Sequence, residues 1–242
     1  MQSGVSIIPL TNLALAFIPV GFVLFFMLRW SLDATDGLVA IGRMLLQLLL
    51  IGYLLNWIFA TDSALIVLGI LTVMLSIASW IALRPLQEPG WTDFFRVLAG
   101  IVIAGCLTLF LVTGLVLDIS PWYAPRQVIP LGGMIFASAM NTVSISAERF
   151  NAELGRSATP EEARRQAFQA CLIPLLNTLL AVGVVSLPGM MTGQILSGVE
   201  PLIAARYQIV VMCMITGASG MAAVIYLQLA MRNQAARNQF PV

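Results

Sequence analysis

Apolar residues fall into blocks of about 20, and in this 242-residue sequence no other feature constrains the fold as tightly. At 1.5 Å per residue, a helix of that length crosses a hydrocarbon layer about 30 Å thick. Soluble cores are interrupted more often, because one face of each element meets water. Composition agrees: 60% of residues are hydrophobic and 10% charged, against about half and a quarter in soluble domains. Mean hydropathy is +0.95.

The blocks predict an all-α, polytopic bundle of about seven transmembrane helices: Val5–Leu28, Leu38–Ala60, Ala64–Leu83, Phe94–Leu117, Val128–Ala147, Cys171–Ser197 and Tyr207–Met231. In lipid, backbone N–H and C=O groups find no water, so each must pair within its own segment, as a helix allows. Alternating strands of barrel type are absent from the pattern. No internal repeat, low-complexity tract or soluble insertion is visible, so residues 1–242 are expected to form one membrane domain. No basic residue precedes the first block, unlike a signal peptide, and that block is expected to remain as the first span.

All 12 basic residues are arginine, and short cytoplasmic loops collect positive charge. With the C-terminus inside, Arg29, Arg43, Arg84, Arg96, Arg149, Arg156, Arg164, Arg165, Arg232 and Arg237 lie inside, and Arg126 and Arg206 outside. Seven spans then place the N-terminus outside.

The same arginine-only composition excludes two chemistries. A P-loop ends in Lys followed by Ser or Thr, so a chain without lysine cannot build one, and energy from ATP would have to come from another chain. Without histidine, the commonest metal ligand and the usual general base near neutral pH are missing. Cys106, Cys171 and Cys213 are widely spaced in apolar surroundings and read as small hydrophobes rather than as a disulfide or metal pair. All 11 acidic residues fall at or beyond span ends, which argues against an ion-coupled carrier relying on intramembrane carboxylates.

Polar residues inside spans are Gln47, Asn56, Asn141, Thr142, Ser144, Ser146, Asn177 and Thr178. Each needs a partner in lipid; the ordinary reading is hydrogen bonding between helices, and the functional one is a pathway. Pro9, Pro19, Pro130, Pro174 and Pro188 interrupt spans and each removes a helical hydrogen bond. The densest feature is the run from Ser186 through Pro188 to Gly193, in which Gly189 and Gly193 have the spacing of a close helix contact. Met190 and Met191 offer soft thioether ligands to a passing metal, although methionine in an apolar helix is usually packing. A substrate pathway would draw on Asn141, Asn177, Ser186, Pro188, Gly189, Met190 and Met191.

The longest connection, Glu148–Ala170, is the richest in charge and falls on the cytoplasmic side. Within it Thr159, Pro160 and Glu162 spell a helix start with a capping box. Glu161 and Arg165 stand one turn apart, and Ala163, Ala167 and Phe168 share an apolar face. The ordinary reading is a solvated entry into the sixth span. The functional one is a coupling helix for an ATPase, using Arg149, Thr159, Glu161, Glu162, Arg164 and Arg165.

Three segments carry a family resemblance: RMLLQLLLIGY (Arg43–Tyr53), QVIPLGGMI (Gln127–Ile135) and VGVVSLPGMMTGQILSGVEP (Val182–Pro201), the last followed by ARYQIVVM (Ala205–Met212). They resemble bacterial FetB/YbbM-type permeases, membrane subunits of ABC transporters associated with iron export and similar to plant permeases of aluminium tolerance. The resemblance implies a separate ABC-type ATP-binding subunit holding ATP and Mg, two permease copies, and iron or another metal as cargo. This chain itself is expected to hold no cofactor, and its expected partners are that subunit, a second copy and the lipid bilayer of the cytoplasmic (inner) membrane, with no nucleic acid. Two departures stand out. The family pattern has Asp at the position of Asn177 and Lys at that of Leu180, and the connection after Arg149 keeps ERFNAEL and ATPEEA but lacks most of the charged stretch between them.

The competing reading is a secondary carrier driven by an ion gradient, which would transport alone. An intramembrane enzyme or scaffold would need a catalytic pair at membrane depth, where neither His nor Asp is available.

Overall fold

Runs of Leu, Ile, Val and Ala with glycine at the crossings dictate helices, and a computed structural model contains nine of them among the residues it describes, 8–86, 89–156 and 158–239, with side chains described as far as 232. The chain divides into two compact units, residues 1–60 and 61–242.

In the first unit, α1 (Leu10–Leu15) and α2 (Ile18–Arg29) are separated by a turn at Ala16 and Phe17, and α3 covers Ala34–Phe59. Residues 5–7 of the expected first span lie outside the described residues. Pro19 falls in the first turn of α2, where its missing N–H is no loss. Asp33 caps α3 by accepting from the Thr35 N–H at 2.9 Å. A Cβ on Gly37 would lie 2.7 Å from Leu24 Cδ2, so glycine is what lets α3 approach α2 there.

The second unit comprises α4 (Ala64–Ala82), α5 (Trp91–Phe110), α6 (Pro125–Gly155), α7 (Pro160–Ala181), α8 (Gly189–Leu196) and α9 (Pro201–Gln239). A π-helical turn, Leu111–Val116, extends α5. The buried positions follow the helical period: Val67, Leu71, Leu75, Ala78 and Ala82 on α4, and Ala163, Ala167, Cys171 and Leu175 on α7. The apolar face expected at Ala163 and Ala167 is therefore the packed face of α7.

Contacts fix the direction of each helix. Gly105 lies against Phe136, and Gly132 against Leu109, so α5 and α6 run antiparallel. Ser138 meets Ser219 on α9, while Gly100 meets Ala222 and Tyr226, so α9 is antiparallel to α5 and parallel to α6. Two neighbouring parallel helices require the chain between them to return across the unit. That return is made by α7, a break, and α8.

Among the described residues, six segments are long and apolar enough to cross a membrane: Leu10–Arg29, Ala34–Phe59, Ala64–Ala82, Trp91–Val116, Pro125–Gly155 and Pro201–Arg232. The expected sixth span, Cys171–Ser197, is not one helix. Gly183 adopts φ +83°, Pro188 has no N–H to continue a helix, and the stretch 182–188 between them is irregular. Pro130 and Pro174, by contrast, lie inside α6 and α7 without ending either helix.

The charge-rich connection also differs from expectation. Residues 148–155 continue α6 and residues 160–170 open α7, leaving only 156–159 between them. Glu148–Ala170 is thus the end of one helix and the expected capped start of the next, a tight helical hairpin.

Candidate functional site

The hairpin gathers most of the residues expected to couple to a partner. Thr159 caps α7 as predicted: its Oγ1 accepts from the Glu162 N–H at 3.3 Å, and the Glu162 carboxylate accepts from the Thr159 N–H at 3.1 Å and hydroxyl at 2.9 Å. Those two bonds, the backbone one first, with the nearby Arg165 guanidinium adding to them, hold the Glu162 carboxyl below the ordinary range. Glu161, Glu162, Arg164 and Arg165 line a cavity of about 480 Å³ whose other wall is Phe168 with Val224, Leu227 and Gln228 of α9. Arg149 stands apart from it, on α6, where it pairs with Glu153 at 2.7 Å.

Arg84, Arg96, Arg149, Arg156, Arg164 and Arg165 lie at this end of the unit, and Arg126 and Arg206 near the starts of α6 and α9 at the other. The arginines are thus unequally divided between the two ends.

Opposite the hairpin, the break is held by a small hydrogen-bond knot. The Ala181 carbonyl accepts N–H groups from Val184, Val185 and Ser186 at 3.3, 2.8 and 3.2 Å, and Gly183 donates to the Ser186 carbonyl at 2.9 Å. Pro188 then caps α8, its carbonyl accepting from the Thr192 N–H at 3.0 Å and hydroxyl at 3.1 Å. Ser186, Pro188, Gly189, Met190 and Met191 thus form one contiguous feature, with both methionines half-buried and Ser186 and Gly189 exposed.

Asn177 precedes the break by one helical turn and is exposed, as is Asn141 on α6. Because Glu153 of α6 stands opposite Gln166 of the antiparallel α7, counting back along the pair sets Asn141 and Asn177 at about the same height, ~18 Å from that contact. Leu180 is 79% exposed. A Cβ on Gly189 or Gly193 would meet nothing within 4 Å among the described residues. The expected close helix contact at that spacing is therefore not made among the described residues.

Comparison with known proteins adds to this geometry. A family model described as "Uncharacterised protein family (UPF0014)" matches residues 10–234. The chain belongs to the UPF0014 family. A UPF0014 membrane protein of Synechocystis is 35% identical over 78% of this chain and 80% of its own length. "Probable iron export permease protein FetB" of Escherichia coli is 32% identical over 81% of the chain and 80% of its own. "Protein ALUMINUM SENSITIVE 3" of Arabidopsis thaliana is 29% identical over 87% and 81%. No solved structure matches. With its six apolar helices, this UPF0014 chain is a multi-pass membrane protein.

Sequence reasoning missed several residues of this UPF0014 chain. Glu153, 5% exposed, accepts from Arg149 and Arg156 and faces Gln166; the Arg149–Glu153 spacing of four was its one visible signal. Ser219 donates to Ser138 Oγ at 2.8 Å and links α9 to α6, whereas Thr142 and Ser146, singled out instead, bond carbonyls of their own helix. The side-chain oxygens of Gln194 on α8 and Gln208 on α9 are buried with no donor among the described residues. Among those residues no three of Cys, Asp and Glu converge as a metal centre.

Proposed function

We propose that this protein is the membrane-spanning permease subunit of an ATP-driven ABC transporter that exports iron or another metal across the cytoplasmic (inner) membrane. One observation carries the reading: a UPF0014 chain, 32% identical to a protein named for iron export, has no lysine with which to build a P-loop. Nucleotide would be hydrolysed, with Mg, on a separate ATP-binding subunit, and the chain itself would be no enzyme.

In this reading the α6–α7 hairpin is the cytoplasmic docking element, with Thr159, Glu161, Glu162, Arg164 and Arg165 presented to the partner and Arg149 behind them. The C-terminus is inside and the N-terminus outside, which the clustering of arginines at the hairpin end supports. The broken return from α7 to α8 provides the pathway near Asn141, Asn177, Ser186, Pro188, Gly189, Met190 and Met191. Irregular backbone at membrane depth is tolerated where it lines a cavity or is covered by protein, and half-helix ends there bind ions. Two copies would assemble, and Gly189 and Gly193, where an added Cβ would meet nothing within 4 Å among the described residues, are available to that assembly.

Co-purification from mild detergent with its ATP-binding subunit, followed by ATPase and iron(II) transport assays in proteoliposomes, tests the reading. Transport requiring both subunits and ATP is expected. Gradient-driven transport by the purified chain alone would replace it with the secondary-carrier reading.

A further inference from the structure

Glu153 is the most buried charged residue among those described, at 5% exposure. A carboxylate withdrawn from water is costly unless its charge and lone pairs are met. Here Arg149 Nη2 donates to Oε1 at 2.7 Å from α6 itself, and Arg156 Nη1 donates to the same oxygen at 3.2 Å from the residue that caps the end of α6. With the Gln166 amide oriented so that its nitrogen faces the carboxylate, it donates to Oε1 at 3.2 Å and to Oε2 at 3.1 Å from α7. The two guanidinium groups neutralise the charge, and the amide ties it to the neighbouring helix.

On α7 the residues facing inward on either side of Gln166 are Ala163 and Ala167, both fully buried, and Cys171 and Leu175 continue that face. Small apolar side chains bury area, but apolar attraction has no direction of its own. A forked amide-to-carboxylate contact does have direction, so it adds to that packing a tie specific to one register of α7 on α6. The register matters because α7 leads in one direction to the capped helix start and its cavity, and in the other, about 24 Å beyond Gln166, to the break.

We propose that Glu153, acting through Gln166, is a positioning residue that locks the α6–α7 hairpin into one rigid lever, so that displacement of the start of α7 by the ATP-binding subunit reaches the break rather than dissipating as sliding. This rests on the ATP-driven reading above. It also gives a physical reason for the ERFNAEL segment: Arg149 and Glu153 are its ion pair, and Phe150, 2% exposed, anchors the same turn in the core.

The test uses the full permease with its ATP-binding subunit in proteoliposomes, iron(II) as the transported probe, and two readouts, ATP hydrolysed and iron moved. Glu153→Ala strands two guanidinium groups and can fail to fold, so Gln166→Leu carries the test, since it cuts the tie between helices and leaves both ion pairs in place. Gln166→Leu is expected to bind the partner and hydrolyse ATP as the wild type does, while iron moved per ATP falls by about 5-fold or more. Gln166→Glu, which sets two carboxylates face to face, should fall further, and Gln166→Asn should retain part of the ratio. An unchanged iron-to-ATP ratio in Gln166→Leu overturns the lever while leaving the ATP-driven reading intact. Loss of the partner or of hydrolysis in Gln166→Leu overturns it too, because the residue would then serve assembly rather than transmission. A wild-type complex that moves no iron with ATP overturns both.

Discussion

Replacing Gly100 with alanine tests the helix arrangement on which the broken return depends. A Cβ at that position would sit 2.9 Å from the Ala222 carbonyl oxygen and 3.6 Å from the Tyr226 nitrogen, both backbone atoms that cannot rotate away. An ordinary contact needs roughly 0.5 Å more, so α5 or α9 must shift, at an overpacking cost of about 1–3 kcal/mol. Alanine also returns ~1 kcal/mol of helix propensity, which would mask part of that cost. Gly217→Ala supplies the correction, because it lies on the same α9 and a Cβ there would meet nothing within 4 Å among the described residues. The difference between the two variants isolates the steric term at ~2 kcal/mol, or about 4–8 °C in Tm for a chain of this size. Differential scanning fluorimetry of detergent-purified protein at one scan rate, so that irreversible unfolding affects both alike, should place Gly217→Ala at or above the wild type and Gly100→Ala well below it. Equal midpoints would mean that α5 and α9 do not cross at Gly100, and the antiparallel assignment would go with them.

The hairpin and core make further predictions. Thr159→Ala removes the cap of α7 and should destabilise that helix start by about 1 kcal/mol, read as faster hydrogen exchange of its first-turn amides. Because the Glu162 carboxyl titrates below its unfolded value near 4.5, its contribution to the cap is fully present above that value and is lost as pH falls through the lowered one. Protection of those amides, measured relative to the intrinsic exchange rate at each pH, should therefore fall on acidification in the wild type and become independent of pH in Glu162→Gln. Ser219→Ala deletes the Ser138–Ser219 hydrogen bond, and a double-mutant cycle with Ser138→Ala should return a coupling of about 0.6 kcal/mol, with zero coupling showing that the bond is not made in the membrane.

What the sequence disclosed and what it hid divide along physical lines. Apolar block length is a one-dimensional property, so α3 and α4 were legible within four residues and the apolar parts of α5, α6 and α9 were legible too, although α6 and α9 run up to eight residues past the expected ends; the capped start at Thr159, whose geometry is set within four residues, was also legible. Hydropathy averages over a span, and so it merged α7, the break and α8 into one segment; the local signals, Gly183 and Pro188, were visible but do not distinguish a kink from a break. In the charged stretch 148–170 the capped start of α7 was legible, but the continuation of α6 through 148–155 was not, because high polarity is also what a helix end emerging from lipid shows. Tertiary partners were illegible for a different reason. Nothing local separates Ser138 and Ser219, which meet, from Ser146, which bonds its own helix at Val143.

The break at 182–188 leads to the most discriminating expectation for the pathway. Val184 and Val185 are 88% and 81% exposed in a single chain, and three of the N–H groups there crowd onto the one Ala181 carbonyl while Gly183 donates to Ser186, so the carbonyls of residues 182–185 accept no backbone N–H among the described residues. Lipid cannot solvate such groups. Either water or protein must therefore meet them, and a pathway supplies water. In a chain with Cys106, Cys171 and Cys213 replaced by alanine, Val184→Cys should react with a membrane-impermeant, water-soluble maleimide in proteoliposomes, whereas Leu107→Cys, 55% exposed on the regular helix α5, should not. ATP supplied to the partner subunit should change the rate at Val184→Cys if the break lies on an alternating-access route. Silence at Val184→Cys toward the aqueous reagent, in every nucleotide state, would place the break under protein and move the pathway away from Ser186, Pro188 and Met190.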